Sequence, residues 1–494
     1  MSLKKLFVHT SNYTVGNLLV TLAGFISFPI LTRLFSVEQY GLLSLISATL
    51  LILTGVAKLG MQHSIIRFFG EIKAGVRGLG LQQFYTTVFL GMAGMGALVT
   101  VLWGVSSQFI PETWLNDGRL RFLFLLTSVL VFVRTIDSSL VNFLRAEQRT
   151  VLFNVYSVAK RYLGLGIIIA TLFFISRDLS GFYSATIVTE IVAVLILGTI
   201  ILRGRGISRE NFSSPFYREI LLFGIPMIGY EIAGIVLSVG DRYVIQAMIG
   251  GEALGIYSAA YNLCEYVSGI VIVAVGQAIM PIYMRLWAEQ GEAETRKFLD
   301  QSLHYYMMVG IPILAGLSAV GPELLSIMAS EKYRDGAAII PYVMSGLLLD
   351  GTLAIFGAGL YIHKQTKTIM LLVVASAAIN LVLNVILIPY FGIKGSAIAT
   401  LISYCFLILL ADLASARRLY IPLPLKSFVT FGLISLIMYF AVIQISTDNQ
   451  LTSLIAKMIA GVVIYIVLAP LVDERTRAVF NKGFAKAKEV FQFK

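Results

Sequence analysis

Long apolar stretches recur along the whole chain, and they constrain its fold more than any other feature of the sequence. A helix that spans a bilayer needs about 20 mostly apolar residues, and fourteen such stretches can be counted, the first at 14–34 and the last at 451–472. The composition agrees, because 57% of the 494 residues are hydrophobic and only 13% are charged. We therefore predict an all-α integral membrane protein with about 14 transmembrane helices.

Lysines and arginines concentrate in alternate loops, and their distribution predicts the orientation of the chain. The loop at 203–216 and the tail at 473–494 carry several cations each, whereas the loop after residue 175 carries only Arg177. Because cytoplasmic loops are enriched in Lys and Arg, both termini are predicted to be cytoplasmic. The formal charge of +11 then follows from topology, and no nucleic-acid partner is expected. The tail is either a basic amphipathic helix on the inner leaflet or a solvated helical end.

Two pairs of short motifs repeat with one offset and indicate an internal duplication. "SVEQYGLLS" (36–44) matches "GGEALGIYS" (250–258), and "GFYSAT" (181–186) matches "GSAIAT" (395–400), each 214 residues apart. Each half would then hold six helices, and because six is even, the halves would be parallel copies of each other. The predicted organisation is an N-lobe at 1–202, a C-lobe at 203–416, two extra helices at 417–472 and a basic cytoplasmic tail at 473–494.

Three longer motifs carry a resemblance to a known family. They are "FPILTRLFSVEQYGLLSL" (28–45), "DRYVIQAMIGGEALGIYSAAYNL" (241–263) and "GIKGSAIATLISY" (392–404). In order and spacing the chain resembles the bacterial polysaccharide flippases, the Wzx-type O-antigen exporters. The resemblance implies the multidrug/oligosaccharidyl-lipid/polysaccharide exporter fold, in which two six-helix lobes form a V.

The same resemblance implies a function and its partners. The expected substrate is an undecaprenyl-pyrophosphate-linked oligosaccharide repeat unit, moved by alternating access from the cytoplasmic to the periplasmic leaflet of a bacterial inner membrane. Membrane lipids would surround the protein, and a glycan polymerase and a chain-length regulator are candidate partners. The chain is expected to be a transporter and not an enzyme.

Charged and amide residues inside the predicted helices are the candidates for binding such a head group. One polar stripe on the fourth predicted helix recurs at three- and four-residue spacing and consists of Arg134, Asp137, Ser138, Asn142 and Arg145. Arginine suits a diphosphate because its planar fork donates two parallel hydrogen bonds. The full predicted set, on the first, fourth and fifth helices, is Arg134, Arg161, Lys160, Arg33, Asp137, Asn142 and Asn154.

Two alternatives stand beside this interpretation. Arg134 and Asp137 are three residues apart, so they could form a mutual ion pair that only fixes neighbouring helices. Arg33 lies close enough to the end of its helix to reach the membrane interface instead of a cavity. Arg161 has neither explanation and is the strongest single candidate.

Carboxylates inside the second half are candidates for coupling transport to an ion. Glu231, Glu265 and Asp350 lie within predicted helices, and intramembrane carboxylates are common in proton and cation pathways. No cofactor is expected beyond Na⁺ or H⁺, since neither an ATPase motif nor a metal-ligand spacing is present. The alternative is that these acids pair with first-half cations and hold one state closed. Asp241 and Arg242 are expected at the outer membrane interface.

Two functions other than flipping would also fit a membrane protein of this size. A cation-coupled antiporter of small molecules or drugs would have the same fold, but its cavity would be aromatic and acidic, and the first-half cations argue against it. A membrane glycan polymerase or acyltransferase usually needs a sizeable loop outside the membrane or a His/Asp constellation. The sequence contains neither feature.

Overall fold

The computed structural model describes residues 3–111 and 117–478, and within these ranges the chain is helical with short connections and no strand. The α-helices in chain order are α1 Leu3–Leu34, α2 Val37–Lys58, α3 Met61–Lys73, α4 Leu81–Ser106, α5 Arg119–Ala146, α6 Thr150–Phe174, α7 Leu179–Leu202, α8 Ser214–Val239, α9 Asp241–Gln290, α10 Glu292–Met328, α11 Ile340–Phe356, α12 Ala358–Ile362, α13 Thr366–Phe391, α14 Ile393–Ala416, α15 Leu425–Ile443 and α16 Gln450–Val472.

Thirteen of the fourteen predicted stretches each coincide with one helix and the other is divided between two, so the all-α membrane fold is confirmed. Within the described part of the chain, 12 segments are long and apolar enough to cross a membrane, and a further apolar stretch covers Leu18–Leu34 in α1. One of the 12 segments, Met227–Gly269, contains parts of both α8 and α9. The chain is thus a multi-pass membrane protein.

The structure departs from the predicted helices at three places. The predicted stretch at 337–362 is interrupted at Gly357 into α11 and α12. Helix α9 begins well before the predicted start at 254 and is broken at Gly250, whose φ of 88° is one that glycine adopts readily. Helix α3 was not predicted; it buries one apolar face and leaves the other exposed, which is the pattern of a helix that packs on its neighbours without being surrounded.

The starts of the helices follow from local hydrogen bonding. Ser36 accepts a hydrogen bond from the amide of Gln39, whose side chain accepts one from the Ser36 amide, so a capping box begins α2. Asp178 accepts hydrogen bonds from the hydroxyl of Ser176 and from the amide of Gly181 at the start of α7. These two hydrogen bonds hold the pKa of its carboxyl below the usual range. Such caps satisfy amides that have no partner inside the helix.

Close packing divides the chain into two compact units. One comprises Met1–Ser258 with Met370–Ala399, and the other Ala259–Ile369 with Thr400–Lys494. These units reflect packing in one conformation, whereas the predicted lobes rest on a sequence repeat, so the lobe boundaries stay a prediction. Residues 479–494 of the predicted basic tail lie outside the described residues.

In the first unit, a cluster of aromatic rings fixes α3 against α4, α5 and α8. Phe84 packs edge-on against Tyr85 and Phe143 and at a tilt against Phe216, with ring centroids between 5.3 and 6.2 Å apart. Phe68 and Phe216 are also buried and meet at 5.6 Å. Because such ring pairs contribute about 0.5–1.5 kcal/mol each beyond their buried area, the cluster holds the ends of these helices in a fixed relation.

The first pair of repeated motifs, at 36–44 and 250–258, packs together in the first unit. Gly41 of α2 lies so close to α9 that a Cβ there would collide with the carbonyl oxygen of Gly251. Gly255, which is the equivalent of Gly41 at the 214-residue offset, lies equally close to the carbonyl oxygen of Val37. Nearby, the Nε atom of Arg242 donates to Ser44 Oγ at 2.9 Å. The glycines therefore permit two backbones to touch, as small residues do between membrane helices.

In the second unit, α15 and α16 are fastened to α10 by buried polar contacts. His304 is 1% exposed and its Nδ1 atom lies 2.8 Å from Ser427 Oγ. Tyr465 donates to the carbonyl oxygen of Met308 at 2.6 Å, and Lys457 pairs with Glu323. The two extra C-terminal helices thus pack as an integral part of this unit.

We predict that Gly41→Ala and Gly255→Ala each lower thermal stability, because a methyl group forces the helices apart at a cost of about 1–3 kcal/mol. The matched control is Gly94→Ala in α4, where nothing lies within 4 Å of the added atom; this variant should be neutral or slightly stabilising, since alanine favours a helix. Thermal unfolding in detergent, followed by size-exclusion fluorescence, measures all three. Equal effects at the three glycines would contradict the close crossing.

Candidate functional site

The polar stripe of α5 faces away from the helix side that is apolar and exposed. Val129 and Arg134 are five residues apart, so their side chains point about 140° apart around the helix, and Val129 is 41% exposed. Arg134, Asp137 and Ser138 are half-buried. The stripe therefore belongs to a face of α5 that is only partly covered by protein.

Arg134 is held by Glu190 of α7. Its Nε atom lies 3.1 Å from both carboxylate oxygens, and its Nη2 atom lies 2.8 Å from Oε1. The alternative of a mutual Arg134–Asp137 ion pair is wrong, because packing α7 beside α5 gives the guanidinium a better-aligned carboxylate. No hydrogen bond from Nη1 is found within the described residues, and 32% of the side chain is exposed against 12% for Glu190. One edge of the guanidinium is thus available.

Asp137 is paired with α6. Lys160 donates to its Oδ2 atom at 2.9 Å, and the hydroxyl of Tyr156 donates to Oδ1. The two charged side chains are 20% and 19% exposed. Asp137 therefore serves as an acceptor for two α6 residues rather than as a free ligand.

Arg161 stands apart from these pairs. It is exposed, and among the described residues it has no hydrogen bond and no salt bridge, although its charge acts on Glu190. With Arg134 and Lys160 it makes three cations, against the two carboxylates of Asp137 and Glu190. The five groups carry one net positive charge, and we call them the charged cluster.

The three remaining predicted residues of this site lie outside the charged cluster. Asn142 is buried and donates to the carbonyl oxygen of Ser138 in its own helix at 2.8 Å. Asn154 packs against α1, where its side chain fills the space beside Gly16. Arg33 is exposed near the end of α1 and takes part in other contacts. Their role in binding stays a prediction.

Glu231, one of the predicted coupling residues, pairs with the first half of the chain. Lys58 Nζ lies 3.1 Å from its Oε1 atom, Gln62 donates to Oε2, and His63 Nε2 lies 3.7 Å from Oε2. This is the arrangement expected of the alternative in which an acid holds one state closed. We call these four residues the α8 latch.

Further contacts fix α8 beside the start of α4. Arg77 lies 2.6 Å from Glu219 and 2.6 Å from Glu71, and its bond to Glu219 is the largest of the influences that raise its pKa above the usual value. Ser64 donates to the carbonyl oxygen of Ile220 at 3.2 Å. Neither α3 nor these contacts were predicted; the apolar periodicity of residues 61–72 is the signal that could have revealed the helix.

The other two predicted coupling residues have different surroundings. Glu265 is exposed and takes part in contacts of its own. Asp350 is also exposed, and within the described residues it has no hydrogen bond and no salt bridge, although its charge acts on Tyr306. Asp350 is therefore the more available carboxylate.

Asp241 and Arg242 stand at the start of α9 and are covered by protein, and their place at the outer membrane interface stays a prediction. Asp241 is 0% exposed and Arg242 is 4% exposed. The hydroxyl of Tyr257 donates to Asp241 at 2.5 Å, because the break at Gly250 folds the two parts of α9 against each other. The adjacent Gly250 and Gly251 are the sequence signal for such a break.

Outside the apolar segments, Glu147 ties the connection between α7 and α8 to the turn after α5. Arg205 Nη1 lies 2.5 Å from its Oε1 atom, and the hydroxyl of Tyr85 donates to the same oxygen at 2.5 Å. Burial opposes ionisation of Glu147, but the hydrogen bonds from Arg205 and Tyr85 outweigh it and hold its pKa below the usual range. Glu147 and Arg205 thus form an ion pair that is separate from the charged cluster.

Comparison with known proteins gives a family and a fold. The model of the family described as "Polysaccharide biosynthesis protein" matches residues 6–287, which is more than half of the chain. The chain is 23% identical over 215 residues to the probable low-salt glycan biosynthesis flippase Agl15 of Haloferax volcanii, covering 42% of this chain and 45% of that protein. It is 23% identical over 228 residues to the putative O-antigen transporter of Shigella flexneri, covering 46% and 53%.

The chain spans about half the length of these two curated relatives. Among solved structures it resembles the lipid II flippase MurJ in an inward closed conformation, with a TM-score of 0.75, 16% identity, and coverage of 94% of this chain and 98% of that one. At this identity the likeness establishes the fold. The named relatives are flippases and transporters rather than enzymes, as expected for this chain.

We predict that Arg134→Met lowers stability by about 1–3 kcal/mol, because it leaves the half-buried Glu190 carboxylate without its partner. The double variant Arg134→Met/Glu190→Met should recover most of that loss, since neither charge then remains. Arg177, an exposed arginine in the connection between α6 and α7, supplies the control, and Arg177→Met should change stability little. Thermal unfolding in detergent checks the series; a double variant no more stable than Arg134→Met would argue against the pair.

Proposed function

The chain belongs to the polysaccharide biosynthesis protein family, and from that premise we propose that it is a flippase for a lipid-linked oligosaccharide. The substrate is an undecaprenyl-pyrophosphate-linked glycan repeat unit, moved from the cytoplasmic to the periplasmic leaflet. The membrane is the bacterial inner membrane, with both termini in the cytoplasm. The Wzx-type motifs and the similarity to a probable glycan biosynthesis flippase and a putative O-antigen transporter support this proposal.

Such a substrate poses a specific physical problem. The diphosphate and the sugars must cross about 30 Å of hydrocarbon, which excludes both, while the lipid tail can remain in it. A carrier must offer cations to the diphosphate and must not have neutralised all of them internally. The observation that carries our proposal is Arg161, an exposed arginine without a salt bridge among the described residues. The two cations beside it are paired with carboxylates, so Arg161 gives the charged cluster its net positive charge.

Each cation of the charged cluster offers different hydrogen-bond donors to the diphosphate. Arg161 offers its whole guanidinium fork to one phosphate, which suits bidentate recognition. Arg134 offers its Nη1 edge while Glu190 holds the other edge. Lys160 keeps one hydrogen bond to Asp137 and has two further ammonium hydrogens to donate. The head group can therefore make its first contacts while both ion pairs are still formed.

The α8 latch supplies one of the contacts that alternate during transport. In this structure Glu231 joins α8 to Lys58 at the end of α2, and Arg77 joins α8 to the segment before α4. Alternating access requires contacts that close one end to break when that end opens. We assign that role to the α8 latch, with Glu231 as its centre.

We predict that Arg161→Ala abolishes glycan export in cells while the protein remains in the membrane at normal level. Lysine at this position should restore only a small part of the activity, because the planar fork is lost. Export is measured by surface glycan in a strain that lacks its own flippase. Arg177→Ala is the matched control, since Arg177 is an exposed arginine shortly after the end of the same helix, and it should export normally. Normal export by Arg161→Ala would refute its role.

Coupling to H⁺ or Na⁺ is a second part of the proposal, and Asp350 is its best candidate. Glu231 already has three partners, whereas Asp350 is exposed and without a salt bridge among the described residues. Moving one charge across the membrane yields about 2.3 kcal/mol per 100 mV, which is enough to bias two states of similar energy.

We therefore predict that Asp350→Asn removes the stimulation of flipping by an imposed H⁺ or Na⁺ gradient in proteoliposomes. Glu231→Gln should change the basal rate, because it weakens the α8 latch, and should keep the response to the gradient. Flipping is followed with a fluorescent polyprenyl diphosphate lipid and a membrane-impermeant quencher. If Asp350→Asn responds to both gradients as the natural protein does, Asp350 is not the coupling residue.

A further inference from the structure

The two carboxylates of the charged cluster have unequal holds on their cations. Asp137 accepts from both Lys160 and Tyr156. Glu190 accepts hydrogen bonds only from Arg134 within the described part of the chain. Glu190 is therefore tied to one residue, Arg134, whereas Asp137 is tied to two, one of which is the neutral Tyr156.

The position of Glu190 also sets it against an incoming anion. Its side chain is 12% exposed and lies behind Arg134, which is 32% exposed. An anion that approaches the exposed edge of Arg134 meets a guanidinium whose positive charge is partly neutralised by Glu190. The charges of Lys160 and Arg161 act on the same carboxylate, so Glu190 lowers the positive potential at all three cations of the charged cluster.

A carrier must release what it binds, and this limits how many free cations it can use. Three unneutralised cations around a diphosphate in a poorly hydrated site would attract it strongly, because electrostatic attraction grows as the effective dielectric constant falls. Sites that pass ions combine binding that is favourable enough for entry with binding weak enough for exit. Without Asp137 and Glu190 the charged cluster would carry three positive charges instead of one.

We propose that Glu190 is an internal competitor of the diphosphate: it holds Arg134 while the site is empty and displaces the head group when transport is complete. Asp137 contributes to the same effect more weakly, since Tyr156 and Lys160 hold it in place. The inference rests on the proposed function, because it assumes a diphosphate as the ligand. Glu190 is thus a positioning residue that sets affinity, and removing its charge tightens binding and slows transport.

The test compares binding and transport in the full-length protein in lipid nanodiscs and proteoliposomes. The binding probe is farnesyl diphosphate, with farnesol as the reference that lacks the phosphates. Glu190→Gln should bind farnesyl diphosphate roughly tenfold more tightly, as expected for loss of one nearby negative charge, and should release it more slowly. Its rate of flipping should fall. A residue that only orients Arg134 would show the opposite, with weaker binding on substitution.

Two further variants keep the test decisive. Glu190→Asp retains the charge on a shorter side chain and should bind with intermediate affinity, so it serves if the amide variant is poorly folded. Glu147→Gln is the matched control, because Glu147 is an acid paired with Arg205 away from the charged cluster; it should leave affinity and flipping unchanged.

The outcomes separate this inference from the proposed function. If the natural protein binds farnesyl diphosphate no better than farnesol, the diphosphate substrate itself is wrong. If it binds the diphosphate selectively but folded Glu190→Gln and Glu190→Asp bind equally or more weakly, the competitor role of Glu190 is overturned and the flippase proposal stands.

Discussion

Charge inside an apolar helix bundle has to be neutralised or hydrated, and the arrangement of α5, α6 and α7 follows from that constraint. Removing one partner from a buried ion pair typically costs several kcal/mol, because the other charge is left uncompensated. Here Arg134 reaches Glu190 and Lys160 reaches Asp137, so three helices are joined by two ion pairs. The same pairing leaves Arg161 as an exposed cation beside them, which gives the site its net charge.

The helices that carry the pairs also pack through apolar side chains, because the buried cluster around Phe84 includes Phe153 of α6 and Leu197 of α7. The rings around Phe84 hold α3, α4, α5 and α8 together near one end of α5. Gly41 and Gly255 let the backbones of α2 and α9 touch. The glycine crossing fixes the spacing of α2 and α9, because a backbone contact leaves no room for adjustment, whereas ring packing tolerates small shifts.

The second-half acids illustrate how one residue type serves different ends. Glu231 is engaged by Lys58 and Gln62, which suits a contact that holds one conformation. Asp350 is exposed, which suits exchange of an ion with water. A separation of charge between positive and negative halves, as the sequence suggested, is therefore partly cancelled by pairing across the chain.

The sequence by itself determined the membrane class, the helices and much of their extent. This is because about 20 apolar residues define a spanning helix and because only a helix or closed barrel satisfies its backbone inside a bilayer. It also singled out Arg134, Asp137, Lys160 and Arg161, but within a set of seven residues, of which Arg33, Asn142 and Asn154 lie outside the charged cluster. Only the tertiary structure decided that Arg134 pairs with Glu190 rather than with Asp137, and that Glu231 pairs with Lys58. Periodicity indicates which face of a helix is polar, but it does not indicate which helix packs there. That depends on long-range packing, since Arg134 and Glu190 are separated by 56 positions in the sequence and Lys58 and Glu231 by 173.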